Sequence, residues 1–239
     1  MVVIQSLTTY SPAARAADED ALTMMLEAAR RIDGPLPARL ALASCSLPYA
    51  RRVQAGLIAA ALGLAPSTFC LECTTSARAS TEAIRAVGTG LVLAADGRFA
   101  AALLLAASGP GLASLRAAQS ALAEYPGLAF TPAGGEGLQD VAVPDYTEAA
   151  YLELIQAAAA GLKADRLALN PPTPRLGRVA ARALGYPGAV LAPEGSGAAG
   201  PLLALGEALA SLTAGQTVLL VSYGAGSAAD ALLIEKGGS

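Results

Sequence analysis

Leu40-Ala41-Leu42-Ala43-Ser44 and Leu91-Val92-Leu93-Ala94-Ala95 have counterparts later in the chain, Arg166-Leu167-Ala168-Leu169-Asn170 and Thr217-Val218-Leu219-Leu220-Val221-Ser222. Leu40 to Leu91 and Leu167 to Val218 are each separated by roughly fifty residues, a spacing that signals a duplicated supersecondary unit. Working outward from the first pair, apolar periodicity predicts a helix over 18–32, a strand over 40–44 and a helix over 49–62. An extended piece over 67–71 follows, then a helix beginning at Cys73 and strands over 90–95 and 100–106. The second pair is embedded in the same order: helix 146–160, strand 166–169, helix 175–184, extended piece 189–192, a helix from Gly197, and strands 217–222 and 230–234.

Residues 108–145 form the join. They read as a helix over 112–125, then a Pro- and Gly-rich passage in which 127–130 or 138–143 supplies the opening strand of the second half, as 2–7 opens the first. Each half then runs β-α-β-α-β-α-β-β, the first over 1–125 and the second over 126–239. Continuous apolar runs mark buried parallel strands. Asp18-Glu19-Asp20 places negative charge at a helix start, where the dipole favours it. Asp96-Gly97-Arg98 reads as the turn of a hairpin.

Composition narrows the chemistry. The chain has no histidine, which removes the commonest general base and metal ligand at neutral pH and excludes a Ser-His-Asp hydrolase built on Ser44, Ser76 or Ser222. Three cysteines argue against a disulfide framework and for a reducing cytoplasm. Cys70 and Cys73 form a lone Cys-x-x-Cys without a second pair, so no metal site is expected. A net charge of −3 with scattered basic residues excludes a nucleic-acid stripe. No apolar run is long enough for a membrane span, and the first residues do not read as a signal peptide. Arg175, Arg178 and Arg182 share one helix face; a solvated face is the plain reading, a phosphate-contacting face the sharper one.

Two glycine turns stand out. Gly195-Ser196-Gly197 precedes a helix and reads as a close-packing turn, with anion binding at the helix N-terminus as its alternative. Gly224-Ala225-Gly226 lies between two strands, so it is no dinucleotide loop; it reads as a tight turn near the Cys73 sulfur. Cys73 itself, in Leu71-Glu72-Cys73-Thr74-Thr75-Ser76-Ala77, stands at a strand-to-helix turn. A small buried residue is the plain reading, a nucleophile the sharper one.

Two tandem βαβαβαββ units with such a cysteine in the first resemble the thiolase superfamily. Asp18-Glu19-Asp20-Ala21-Leu22-Thr23-Met24, Leu47-Pro48-Tyr49-Ala50 and the run from Val221-Ser222-Tyr223-Gly224 to Asp230-Ala231 resemble the hydroxymethylglutaryl-CoA-synthase-like, ketoacyl-synthase-III-like branch. The resemblance covers most of the chain in order. It implies a five-layer αβαβα sandwich in which Cys73 takes an acyl group from a coenzyme A thioester, with no tightly bound cofactor. It places Cys45 where the family has its acid/base glutamate, Asn170 where it has its histidine and Gly195 where it has its asparagine. Gly224 and Gly226 fall at the turn beside the nucleophile, and Arg175 and Arg178 would meet coenzyme A. The sequence is shorter than the family's members before Asp18 and between the halves, where the acyl pocket is shaped.

A condensation needs a base and oriented donors worth several kcal/mol of barrier. Asn170 donates hydrogen bonds but takes no proton at neutral pH, which leaves Glu72 or Glu194 as substitutes. Two functions follow. One is an acyltransferase-like protein working through Cys73, within a multi-subunit complex. The other is a catalytically degenerate subunit that keeps the fold for its interface. The resemblance implies a homodimer through 67–71, or assembly with an active thiolase-type enzyme and a zinc-ribbon/OB-fold protein.

Overall fold

The computed structural model describes residues 1–13, 19–35, 37–49, 53–74, 76–122, 148–224 and 228–238. The first set of elements is β1 (Val2–Tyr10), α1 (Ala21–Ala29), β2 (Arg39–Ala43), α2 (Gln54–Ala61), β3 (Phe69–Cys73), α3 (Ala79–Val87), β4 (Gly90–Asp96) and β5 (Phe99–Ala106). The second is β6 (Ala113–Leu122), α4 (Glu148–Ala159), β7 (Arg166–Asn170), α5 (Pro174–Ala183), β8 (Val190–Leu191), a 3-10 turn (Gly197–Ala199), α6 (Gly200–Ala210), β9 (Thr217–Gly224) and β10 (Ala228–Lys236).

The strand order is β3-β2-β4-β5-β1-β6-β10-β9-β7-β8, so the second five mirror the first about the β1–β6 pairing. In each set the three outer strands are parallel (β3-β2-β4 and β8-β7-β9), and an antiparallel hairpin follows (β4–β5 and β9–β10). Leu40 pairs with Leu91. In the second set Leu167 pairs with Leu219 and Val218 with Arg166, one residue off the counted repeat.

The two-residue period of a strand sorts its side chains into layers. Leu40, Leu42, Leu91 and Leu93 pack outward against α1 and α2. Leu167, Leu169, Leu219 and Val221 do the same against α4. The intervening Ala41, Ala43, Val92, Ala94, Ala168, Val218 and Leu220 point inward, onto α3 and α6. Those two helices contribute Ala79, Ala83, Ile84 and Val87, and Leu202, Leu205, Ala208 and Leu209. The order is therefore helices, sheet, central helix pair, sheet, helices: the αβαβα sandwich. No helix among the described residues is long and apolar enough to cross a membrane.

Several expectations need correction. Residues 112–125 are not a helix: Ala113–Leu122 is β6, its residues alternating between half-buried and exposed. Ala, Leu, Arg and Gln favour helix locally, but pairing with β1 and β10 along this segment decides otherwise. β6 holds the place in the second set that β1 holds in the first; 127–130 and 138–143 lie outside the described residues. The first helix starts at Ala21, with Asp20 as its N-cap in a capping box with Thr23. The second runs over Gln54–Ala61. Cys73 does not start a helix: it ends β3, and α3 begins at Ala79.

Two buried aspartates join the halves. Asp230 of β10 is 0% exposed and accepts from Arg78 (2.9 Å), Thr81 (2.8 Å) and Arg85 (2.9 Å) of α3 and its N-terminal turn, and from Ser120 of β6. Asp96, at the end of β4, accepts from the Ala198 N–H (2.6 Å) in the turn that leads into α6. It also takes Ser44 Oγ (2.9 Å), Ser46 Oγ (2.7 Å) and the Cys45 N–H (2.9 Å). Each half thus anchors the start of the other half's central helix.

Removing one partner of a buried ion pair costs about 3–5 kcal/mol because the other charge is stranded. Asp230→Asn is expected to lose stability on that scale in urea unfolding. Asp96→Asn, which breaks hydrogen bonds but no ion pair, loses less. Equal, small losses for both would contradict the assigned roles.

Candidate functional site

Cys73 pairs with Ala43 in register, and its carbonyl accepts from the Ser44 N–H at 3.1 Å. Its side chain packs against the central core from the end of edge strand β3. The sulfur is therefore half-buried where strand ends of the first set meet the turn before α3. Burial, then the Glu82 carboxylate, push the Cys73 thiol up to about 11, with the Arg78 guanidinium opposing.

The residues standing in for the expected catalytic groups are held by other bonds. Asn170, at the end of β7, donates to the Ala77 carbonyl (2.9 Å) and the Gly197 carbonyl (3.3 Å), bridging the turns that precede both central helices. A side chain at Gly200 would lie 2.3 Å from Asn170 Oδ1, so the amide is wedged against the first turn of α6. Cys45 is exposed as a residue, but partial desolvation of its sulfur against the protein, then the adjacent Asp96 carboxylate, push its thiol up to about 11. It offers no proton acceptor in place of a glutamate.

Glu72 is committed as well. Its carboxylate accepts the Ala55 N–H at 2.7 Å in the first turn of α2, which caps that helix. Glu194 and Gly195 are exposed on the turn ahead of α6. Gly224 is buried at the end of β9, where an added Cβ would meet Ser76 Oγ at 2.6 Å and Arg78 Cδ at 2.9 Å. Its role is to admit the Arg78 side chain. Gly226 lies outside the described residues. Arg175 and Arg178 sit on the exposed face of α5, in an outer layer, with Arg175 paired to Glu148 at 2.7 Å.

Apart from Asn170, the groups that organise this corner were not expected from sequence. Asn170, Ser222 and Asp230 are register partners across β7, β9 and β10, each at the inward-pointing phase of its strand, and Ser120 of β6 extends the row to Asp230. Arg78 reaches across from α3 to pair with Asp230 at 2.9 Å and with Glu82. The available signal was the lone aspartate in Ala228-Ala229-Asp230-Ala231-Leu232-Leu233-Ile234, an acid in an otherwise apolar strand that demands a buried cation. A cleft of 480 Å³ lies elsewhere, between β1 and α6, lined by Leu7, Thr9, Leu203, Glu207 and Lys236 among others.

No family model matches the chain. In sequence it is similar to the hydroxymethylglutaryl-CoA synthase of Aeropyrum pernix, 28% identical over 278 aligned residues covering 95% of this chain and 75% of that one. In structure it is similar to 3-oxoacyl-(acyl carrier protein) synthase III of Pseudomonas aeruginosa, with a TM-score of 0.76 and 17% identity over 100% of this chain and 98% of that one. OleA of Xanthomonas campestris, in a structure with cerulenin, matches at a TM-score of 0.79 and 15% identity over 98% and 96%. The chain has the thiolase-like fold of these structures.

Thiols held near 11 are scarcely ionised at pH 8, roughly a hundredfold less than an ordinary cysteine. Peptide-resolved iodoacetamide labelling is expected to modify Cys45 and Cys73 slowly at pH 8 and progressively faster toward pH 11. Labelling of Cys73 at pH 8 as fast as in the urea-unfolded chain would contradict the environment described.

Proposed function

We propose that this thiolase-like chain handles acyl groups, taking them from a coenzyme A or carrier-bound thioester onto Cys73. The observation that supports the reading is the position of that thiol. It is half-buried at the end of β3 and faces the central layer beside the turn into α3. Transfer between two sulfurs exchanges one thioester for another and asks only for attack on a carbonyl carbon. Forming a carbon–carbon bond asks for much more, a base to make a carbanion equivalent and donors to hold the enolate. The Asn170 amide, already donating to Ala77 and Gly197, supplies neither. The proposed reaction is therefore acyl transfer without condensation.

Incubation with acetyl-CoA and longer acyl-CoAs is expected to add one acyl mass by intact-protein mass spectrometry. The adduct should be absent from Cys73→Ala. No adduct from any donor, or one that survives in Cys73→Ala, removes the reading.

A second reading has its own support: Arg78 pairs with both Glu82 and Asp230, and Asn170 donates to the Ala77 and Gly197 carbonyls, so the corner is closed by internal bonds. On this reading the chain is an inactive subunit that stabilises an active thiolase-type partner, together with a zinc-ribbon/OB-fold protein. Cys73→Ser would then leave the activity of the co-purified complex unchanged.

For assembly we propose pairing across β3. It is the edge strand of the first set, and an unpaired edge is a template for another strand. Phe69 on β3 is 55% exposed, and Val53 and Leu57, at and within the neighbouring α2, are 71% and 47% exposed. Phe69→Asp is expected to convert a dimer into a monomer in light scattering. A wild type that is already monomeric at high concentration would refute edge pairing between copies.

A further inference from the structure

The cleft between β1 and α6 lies four strands across the sheet from the β3 edge that carries Cys73, and none of the roles assigned above uses it. Its volume of 480 Å³ is that of a small-molecule site. The pairings fix its direction. Leu112 and Lys236 sit near the start of β1: the Leu112 N–H donates to the Ile4 carbonyl at 2.8 Å, and Ala113 pairs with both Ile4 and Lys236. Gly206 of α6 lies against Leu7, farther along β1, and Thr9 lines the cleft toward the end of that strand. The trough thus follows β1 from Lys236 to Thr9, walled by Leu7, Leu112, Leu203 and Leu209. Leu112 is left 40% exposed there.

Two features point to an occupant. Gly206 is interior to α6, where glycine weakens a helix relative to alanine. Packing does not require it, since an added Cβ would meet only Leu7, at an ordinary 3.4 Å. The missing side chain leaves the floor of the trough free. The second feature is charge. Lys236 and Leu112 also line an adjoining cleft of 350 Å³, with Gln5, Gly111, Gly237 and Gly238, and no acid lines it among the described residues. The Lys236 side chain has no ion pair or hydrogen bond among the described residues. Its neighbour Glu235 is already paired with Arg116 at 2.7 Å.

We propose that the trough and the cleft beyond Lys236 bind a single-chain amphiphilic anion, a medium-chain carboxylate. Its tail lies along the four leucines over Gly206, and its head meets the Lys236 ammonium. Lysine suits this place because its methylene stem covers apolar surface while its charge stays at the polar end. The apolar chain supplies the affinity, and one charge-assisted contact sets the direction. Glu207, exposed on the α6 wall of the tail section, repels a second anionic group, so the site selects a chain charged at one end. Binding here asks nothing of Cys73, so it stands or falls apart from acyl transfer.

The test is calorimetric titration of the full chain with octanoate, decanoate, decanol and decanedioate, each below its micellar concentration. Decanoate is expected to bind saturably at one site, on the order of tenfold tighter than octanoate, the worth of two more buried methylenes. Lys236→Gln should weaken decanoate about tenfold, the scale of one hydrogen bond to a charged group, and leave decanol unchanged. Gly206→Leu should remove binding of both, with a circular dichroism melt to confirm folding; if it does not fold, Lys236→Gln at the strand end decides alone. Glu207→Gln should bring decanedioate up toward decanoate. No saturable decanoate binding overturns the proposal. Decanoate binding that Lys236→Gln leaves intact, or decanol bound as tightly as decanoate, overturns it as well, because either result means apolar adsorption without a site for the anion.

Discussion

The structure depends on a charge that cannot be left by itself. Asp230 sits with no solvent exposure in the middle of a sheet, and an isolated carboxylate there would be prohibitively costly. Its cationic partners Arg78 and Arg85, and Thr81, come from the other half of the sequence; Ser120 of the neighbouring β6 adds only a hydroxyl. The second half therefore cannot satisfy its own strand without the first. Asp96 imposes the converse requirement through Ala198. Apolar packing between the half-sheets is non-directional; these two carboxylates add direction and set where the central helices begin. They also explain why a duplicated chain closes on itself at one angle rather than as two loosely joined units.

Small residues make that closure possible. The inner faces of the central strands carry Ala41, Ala43, Ala94, Ala101 and Ala168, which let α3 and α6 approach both sheets closely. At two points even a methyl group is too much. Gly200 leaves room for the Asn170 amide and Gly224 for the Arg78 side chain. The close approach has a chemical consequence: polar groups at the strand ends bond to one another. Asn170 illustrates this, since its donors fasten the turns before both central helices. A larger Cβ at either glycine would push these side chains apart and open the corner that the bonds now close.

Most of the layering was legible in the sequence because it is local. Runs such as 40–43 and 217–222 carry their own strand period, and the order of elements repeats. What escaped reading depends on partners far away in the chain. β6 has a composition that suits a helix, and only its pairing with β1 and β10 makes it a strand. Cys73 looked like a helix start because apolar residues at helical spacing follow it, yet the helix waits until Ala79. Of the site, the position of Cys73 at a strand end was legible. The commitment of Glu72 to a helix cap and the reach of Arg78 to Asp230, across about 150 positions, have no local signature.

The lost histidine and the retained thiol bear differently on the two halves of a condensing cycle. Loading an acyl group needs a nucleophile, a transient proton acceptor and space. Extending it needs a base strong enough to generate a carbanion and donors that are idle until the enolate forms. Here the donors at the end of β7 are spent on Ala77 and Gly197, so preorganisation has gone into holding the two central helices. On the proposed reading, the same bonds that stabilise the junction keep the Asn170 amide from serving a condensation, while Cys73 stays half-buried at its edge. A thiol pushed up to about 11 is a slow nucleophile but a good keeper, because the surroundings that disfavour its thiolate also disfavour it as a leaving group. On the acyl-transfer reading, an acyl group placed on Cys73 would therefore be released slowly to any acceptor, since every onward transfer makes the same sulfur the leaving group.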